Sequence, residues 1–272
     1  ALSREIDMLS PAFEPTRLRN TMPDRVTKAA LRTLAAAALL GLAACASVPA
    51  ETTAPQTAAA VSAPPGPPPC RPLAGEPNPP QGWGYLQEVA ALCKADIFKA
   101  ASGKGEPNRQ IAIHTKQDVG ILVRPAVVVL KPATTLRWRW NVATLPSKVA
   151  EEVAAKHDYL SIAVKFDNGH DLTYMWSAEL PEGKGFRCPL PGWDQRETHV
   201  VVRSGGGGLG RWLSEERNIL ADYKKHVGGP PPTRVTEVWL IANSIFQQGE
   251  GAARIGDISL GTAKARKRKR VL

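Results

Sequence analysis

The sequence predicts a mainly-β fold over residues 81–262, a β-sandwich or jelly roll with two or three short helices. Three observations predict it. Many short runs rich in Val, Ile and Trp are separated by turn residues, a pattern of sandwiched sheets rather than of a doubly wound parallel sheet. Several runs alternate with period two, as strands with one buried face do. Six of the seven tryptophans lie between residues 138 and 239, and large aromatics contribute most per residue to a core.

The candidate strands, in order, are Gln110–His114, Val119–Leu130 (one strand or two), Thr135–Val142, Leu160–Phe166, Leu172–Trp176, Thr198–Arg203, Val235–Ala242 and Ile255–Leu260. In the third, Leu136, Trp138 and Trp140 fall on one face and Arg137 and Arg139 on the other. In the fourth, Ile162, Val164 and Phe166 alternate with Ala163 and Lys165. Leu172, Tyr174 and Trp176 share a face in the fifth. Helices are expected at Trp83–Lys94, Lys148–Lys156 and Leu213–His226, the last stopped by Gly228-Gly229-Pro230.

The segment ahead of this domain has a different character. Arg25, Lys28 and Arg32 precede an almost unbroken Leu/Ala run, Leu34–Ala44. Its length suits a signal-peptide core and falls short of the ~20 residues a spanning helix needs. The run ends Leu42-Ala43-Ala44-Cys45, which resembles the lipobox of bacterial lipoproteins. That resemblance implies cleavage before Cys45 and lipidation of its thiol. With two or three acyl chains the anchoring is stable. Ala46 after the cysteine implies the periplasmic side of the outer membrane. Residues 1–21 carry scattered charges and no apolar run, and read as an extension upstream of a true start at Met22. The expected organisation is 1–21 extension, 22–44 signal peptide, 45–80 lipidated Ala/Pro-rich disordered linker, 81–262 β-sandwich and 263–272 basic disordered tail. The linker has too few large apolar groups to offset the entropy of ordering.

The formal net charge is +10. Six positives sit in the tail, at Lys264, Arg266, Lys267, Arg268, Lys269 and Arg270. The chain after residue 44 holds 29 basic and 21 acidic residues, so its body is near neutral. The charge argues against a nucleic-acid partner and leaves the tail as a solvated segment or one drawn to an anionic surface. Besides Cys45, the cysteines are Cys70, Cys93 and Cys188, enough for one disulfide, either Cys70–Cys93 or Cys93–Cys188 among the alternatives.

Catalytic constellations are scarce. Asp158, Asp167, Glu179, Asp194 and Asp257 are scattered acids, whereas glycoside hydrolysis needs two carboxyls about 5–9 Å apart. His114, His157, His170, His199 and His226 show no metal-ligand spacing, and the His157-Asp158 and His170-Asp171 pairs read as surface turns. Gly205-x-Gly207-x-x-Gly210 sits in a plain glycine run before the expected helix and reads as a loop. No catalytic residue, metal or cofactor is expected. The outward Arg137 and Arg139, with Lys165 and Thr173 on the equivalent face of nearby strands, suggest a strip for an anionic or hydroxylated ligand.

Leu136-Arg137-Trp138-Arg139-Trp140, the His157-Asp158-Tyr159 turn, Leu172-Thr173-Tyr174-Met175-Trp176-Ser177, the Arg217-Asn218 and Asp222-Tyr223 pairs, and Gly256-Asp257-Ile258 follow one another in an order similar to the bacterial exported family known as domain of unknown function 3047. The resemblance covers roughly residues 83–262 and implies a sandwich of the galactose-binding or lectin-like kind, with no established activity. The chain departs from the family pattern in having His157-Asp158 where relatives carry paired acids, and Ala242-Asn243-Ser244-Ile245-Phe246 where they carry an acid-rich turn. Candidate ligand-binding residues are therefore Arg137, Arg139, Asp158, Lys165, Tyr174 and Asn243. The expected function is a lipoprotein domain that binds a glycan, peptidoglycan or another envelope component. The alternatives are a hydrolase of envelope polysaccharide and a structural or assembly lipoprotein with protein partners.

Overall fold

The computed structural model describes residues 79–86, 97–102, 109–262 and 268–272. The signal segment, Cys45, the linker, Cys70, Cys93 and tail residues 263–267 lie outside the described residues. Among the described residues, thirteen strands form two sheets. They are β1 Gly84–Tyr85, β2 Phe98–Ala101, β3 Gln110–Lys116, β4 Val119–Val129, β5 Thr134–Thr144, β6 Tyr159–Phe166, β7 Asp171–Ser177, β8 Gly185–Arg187, β9 Glu197–Ser204, β10 Leu213–Asn218, β11 Arg234–Asn243, β12 Glu250–Thr262 and β13 Lys269–Arg270. One sheet runs β1-β4-β11-β6-β7-β9-β8; the other runs β10-β5-β12-β3-β2, with β13 added on β12. Only β7 and β9 pair parallel among the described strands. The mainly-β sandwich expected from the alternation is the architecture observed, and each of the eight candidate strands is present.

The main core lies between the sheets. Leu136, Trp138 and Trp140 of β5 point into it, as do Ile162, Val164 and Phe166 of β6 and Leu172, Tyr174 and Trp176 of β7. Trp138 stacks on Tyr174 with ring centres 5.7 Å apart, and Trp140 meets Trp176 at 5.5 Å. A second, smaller core covers the outer face of the seven-stranded sheet. There Tyr159, Ala163, Met175, Val201 and Trp239 pack with Leu180, Phe186 and Trp193 from the β7–β9 connection. Every residue of β7 is consequently buried. Burial on both faces is what strands show when each face of a sheet is covered.

The helices differ from expectation. Residues 84–85 of the expected Trp83–Lys94 helix form β1 instead. Of Lys148–Lys156 only a 3-10 turn at Ala154–Lys156 is helical. The Ser147 hydroxyl bonds both the N–H and the C=O of Val149 and competes with helical backbone bonds there. The first six residues of Leu213–His226 are β10, paired antiparallel to β5. A four-residue α-helix (α1, Ile219–Asp222) then leads into a π turn, Tyr223–Val227. Asn218 caps α1 through its side chain, and Gly228, at φ +78°, ends the turn where the sequence marks a stop. The Gly205–Gly208 run therefore links two strands, not a strand and a helix.

Residues 268–272 also differ from the expected disordered tail. Val271 is 1% exposed within the core. The Arg268 guanidinium donates to the C=O of Thr135, Ser259 and Gly261 and to the hydroxyls of Thr135 and Ser259. Among the described residues, no helix is long and apolar enough to cross a membrane.

Candidate functional site

A groove runs over the outer face of the six-stranded sheet, where β10, β5 and β12 lie side by side. Its volume is about 410 Å³, and it is lined by Arg137, Trp138, Arg139, Ser214, Glu215, Glu216, Asp257 and Ser259. Strand register creates it: Glu216 stands opposite Arg137, Ser214 opposite Arg139, and Ser259 opposite Arg137 from the other side. A bulge in β12 between Gly256 and Ser259 inserts Asp257, at φ +52°. Left-handed backbone is unusual away from glycine, though aspartate is among the residues that adopt it most readily. The bulge brings Asp257 Oδ2 to 3.7 Å from Arg139 Nη1.

Each arginine of the groove has a partner. Arg137 Nη2 lies 2.8 Å from Glu216 Oε1, and this arginine holds the Glu216 carboxyl below its ordinary range. The Arg139 guanidinium sits 5.4 Å from the Trp212 ring centre. Behind the groove, Glu215 accepts from the Trp140 indole at 3.1 Å and from Arg203 at 2.7 and 3.1 Å. The strip read from the sequence as basic is therefore charge-balanced. The alternation located Arg137 and Arg139; it did not reveal Glu216 and Asp257, which come from other strands.

The other expected residues lie elsewhere. Lys165 is on the seven-stranded sheet, 5.0 Å from the Trp239 ring centre, and Thr173 is sealed under the β7–β9 connection. Both belong to the outer face of the opposite sheet, so they do not extend the Arg137–Arg139 strip. Tyr174 faces the main core and donates to Asp222 Oδ2 at 3.0 Å, while Asp222 also holds Arg217 at 2.6 and 2.9 Å. Asp158 is buried and accepts from the N–H groups of Phe246 and Gln247 at 2.9 and 2.7 Å. Burial raises its carboxyl, against the pull of those two bonds. Asn243 donates to the His157 carbonyl at 2.9 Å. Asp158 and Asn243 thus fasten the strand end before β6 to the turn after β11. Of the scattered acids, Asp167 binds Thr233 and Arg234, Glu179 accepts from the N–H of Ala150, and Asp194 accepts from that of Gly192.

A second polar group, absent from the sequence reading, is buried under the β7–β9 connection. His157, Cys188 and His199 are each no more than 1% exposed, and one donor atom from each lies within 4.8 Å of the others. His157 Nδ1 is 2.6 Å from the Glu151 carbonyl, and its Nε2 is 3.5 Å from Cys188 Sγ. His199 Nε2 is 3.5 Å from Glu197 Oε1, which also accepts the Thr173 hydroxyl at 2.8 Å. Burial, with His199 adding to it, pushes His157 down to about 3, so its ring is neutral. Burial also raises the Cys188 thiol, helped by Glu197. Burial alone would raise Glu197, but the adjacent His199 ring holds it down at about 2. Asp171 is raised well above the ordinary carboxyl value by burial and by Glu197, its neighbour across the parallel pair.

His157 was expected at the surface and is fully buried. Its ring occupies the face of β6 that the β7–β9 connection covers, packing against Tyr159, Phe186 and His199. Cys188 is a free buried thiol, while Cys70 and Cys93 lie outside the described residues. The local sequence carries one trace of the group, the period-two spacing of Glu197 and His199 on one strand. The rest is assembled by distant segments, and no local spacing announces it.

No functionally curated protein matches the chain. Among solved structures, the xyloglucanase domain of NopAA, an effector from Sinorhizobium fredii in complex with cellobiose, shares 10% identity. It aligns over 67% of this chain and 93% of its own, with a TM-score of 0.38. A family 11 carbohydrate-binding module from a cellulosomal cellulase of Clostridium thermocellum shares 11% identity over 68% of this chain and 91% of its own, with a TM-score of 0.34. TmCBM61 in complex with β-1,4-galactotriose shares 8% over 67% and 89%, with a TM-score of 0.31. Residues 94–259 match the model of a family described as protein of unknown function (DUF3047), and with more than half of its length matched the chain belongs to that family.

Proposed function

We propose that this chain is a lipid-anchored envelope protein whose β-sandwich binds a glycan in the groove across β10, β5 and β12. The observation that carries the reading is the charge balance of that groove. Two guanidinium groups, the carboxylates of Glu216 and Asp257 and the hydroxyls of Ser214 and Ser259 line one open depression. A polyol presents donors and acceptors in alternation, so it needs both kinds of partner within one short span. An anionic ligand would be repelled by Glu216 and Asp257, which favours the hydroxylated ligand. The volume falls in the ~300–1,000 Å³ range of small-ligand sites. The half-buried Trp212 beside Arg139 adds an apolar surface at the rim. In this reading anchoring is supported by the Leu34–Ala44 run and the Leu42–Cys45 sequence, and the periplasmic side of the outer membrane by Ala46.

The test is a melting-temperature screen of the full-length chain against muropeptides and soluble envelope oligosaccharides. A ligand at about 100 times its Kd adds ~2.7 kcal/mol, well within the resolution of a melting curve. Asp257→Gly is the informative variant, because glycine accepts the left-handed backbone while the carboxylate is lost. It should fold and bind about tenfold more weakly, the equivalent of one charge-assisted hydrogen bond of ~1.4 kcal/mol. A sugar bound equally well by Asp257→Gly and Arg139→Ala, or no response to any sugar, would refute the groove as the site.

A further inference from the structure

We propose that His157, Cys188 and His199 bind a divalent transition-metal ion of the zinc class, forming a structural site that pins the β7–β9 connection onto the seven-stranded sheet. The donor set comes first. Two imidazoles and one thiol, with a carboxylate beside them, are the borderline-soft ligands that zinc, cobalt and cadmium share. All three donor atoms lie within 4.8 Å of one another. In a tetrahedral site such atoms stand about 3.3–3.6 Å apart, so closure by about 1 Å brings them into range.

Orientation supports the same conclusion. Metal-bound imidazoles usually donate their second ring nitrogen to a carbonyl or carboxylate, which fixes the tautomer. His157 Nδ1, at 2.6 Å from the Glu151 carbonyl, makes that bond and leaves the Nε2 lone pair facing Cys188 Sγ. His199 has the carboxylate counterpart, Glu197 Oε1 at 3.5 Å from its Nε2. Independently, Nδ1 of His199 has no hydrogen-bond partner, although the residue is 0% exposed. A fully buried imidazole nitrogen left unsatisfied is costly, and coordination through it removes that cost. The charges also close. A Cys188 thiolate and the Glu197 carboxylate carry −2 between them, which one divalent cation neutralises. The thiol proton leaves to solvent on binding, so affinity should rise with pH.

The three ligands sit on three separate segments: the stretch before β6, the loop between β8 and β9, and β9 itself. A metal bridging them would cross-link the connection over residues 178–196 to the sheet. Because the site is sealed, the ion enters as the chain folds.

The experiment uses the full-length chain, refolded with Co²⁺ in place of zinc. A thiolate-to-cobalt charge-transfer band in the near ultraviolet, with the intense visible bands of tetrahedral cobalt, is expected at one ion per chain. Zinc should displace the cobalt and raise the melting temperature. Cys188→Ser should abolish the charge-transfer band, and His199→Gln should weaken zinc binding at least tenfold. Because Cys45, Cys70 and Cys93 are also present, a band that persists in folded Cys188→Ser overturns the assignment. So does a wild-type chain that gives no such band and melts at the same temperature with and without zinc, a measurement that needs no variant. Sugar binding at the groove is read separately, so loss of one site leaves the other standing.

Discussion

At the scale of single residues, the buried acids of the seven-stranded sheet show how neighbours divide protons. Asp171 and Glu197 are paired across β7 and β9 and are 0% and 2% exposed. Two carboxylates so placed cannot both ionise at low cost: burial, with Glu197 beside it, pushes Asp171 well up, while the His199 ring holds Glu197 down. This has a consequence for stability. Asp171 ionises at the ordinary carboxyl value in the unfolded chain but well above it in the folded one. Its contribution to stability is full below the unfolded value and is lost as pH rises towards the raised folded value. Each pH unit in that window removes up to about 1.4 kcal/mol. Asp171→Asn keeps the shape and has no proton to lose. Relative to wild type, it should therefore melt higher at pH 8 than the same comparison shows at pH 5. Melting curves at the two pH values check this; a difference that is flat or reversed would mean that Asp171 is ionised in the fold.

At the scale of elements, periodicity was a sound guide wherever one face of a strand meets the main core. Leu136, Trp138 and Trp140 fall inward because side chains alternate, and no tertiary information is needed to say so. It failed at Leu213–Asn218, whose composition suits a helix. There β5 offers an edge, and pairing with it satisfies the backbone while Glu215 takes the Trp140 indole and Arg203. Tertiary context outweighs a propensity difference of less than ~0.7 kcal/mol per residue. The tail failed for a related reason. Charge alone suggested solvation, but β12 presents an edge to Lys269–Arg270, and Val271 finds the core. Removing residues 268–272 should accordingly destabilise the domain by at least about 2 kcal/mol, the burial of one valine, with the Arg268 hydrogen bonds adding to it. Chemical denaturation of the truncated full chain reads this directly, and an unchanged midpoint would show the tail to be a loose appendage. The polar groups were the least legible part. The groove combines three strands, and the His157–Cys188–His199 group depends on which segment covers the outer face, which local periodicity does not encode.

At the scale of the whole molecule, the sandwich and the leader make separate claims. The sandwich presents its groove on the six-stranded sheet and seals His157 and His199 on the outer face of the other, so one domain holds an open depression and a closed polar group. An open, charge-balanced groove suits a ligand met in bulk, whereas a closed group suits a role in holding the fold. Neither site needs a membrane. The reason to propose one lies wholly in Leu34–Cys45, whose apolar run is too short to span and whose last four residues resemble a lipidation signal. A thioether-linked diacylglycerol would then be the attachment. Cys45→Ala removes the acyl acceptor and leaves the described domain untouched. In a Gram-negative host it should abolish labelling by radioactive palmitate and move the chain from the membrane pellet to the soluble fraction or the uncleaved precursor pool. Wild-type chain that takes up no label would sink the lipid anchor, and a labelled Cys45→Ala variant would move it to another residue.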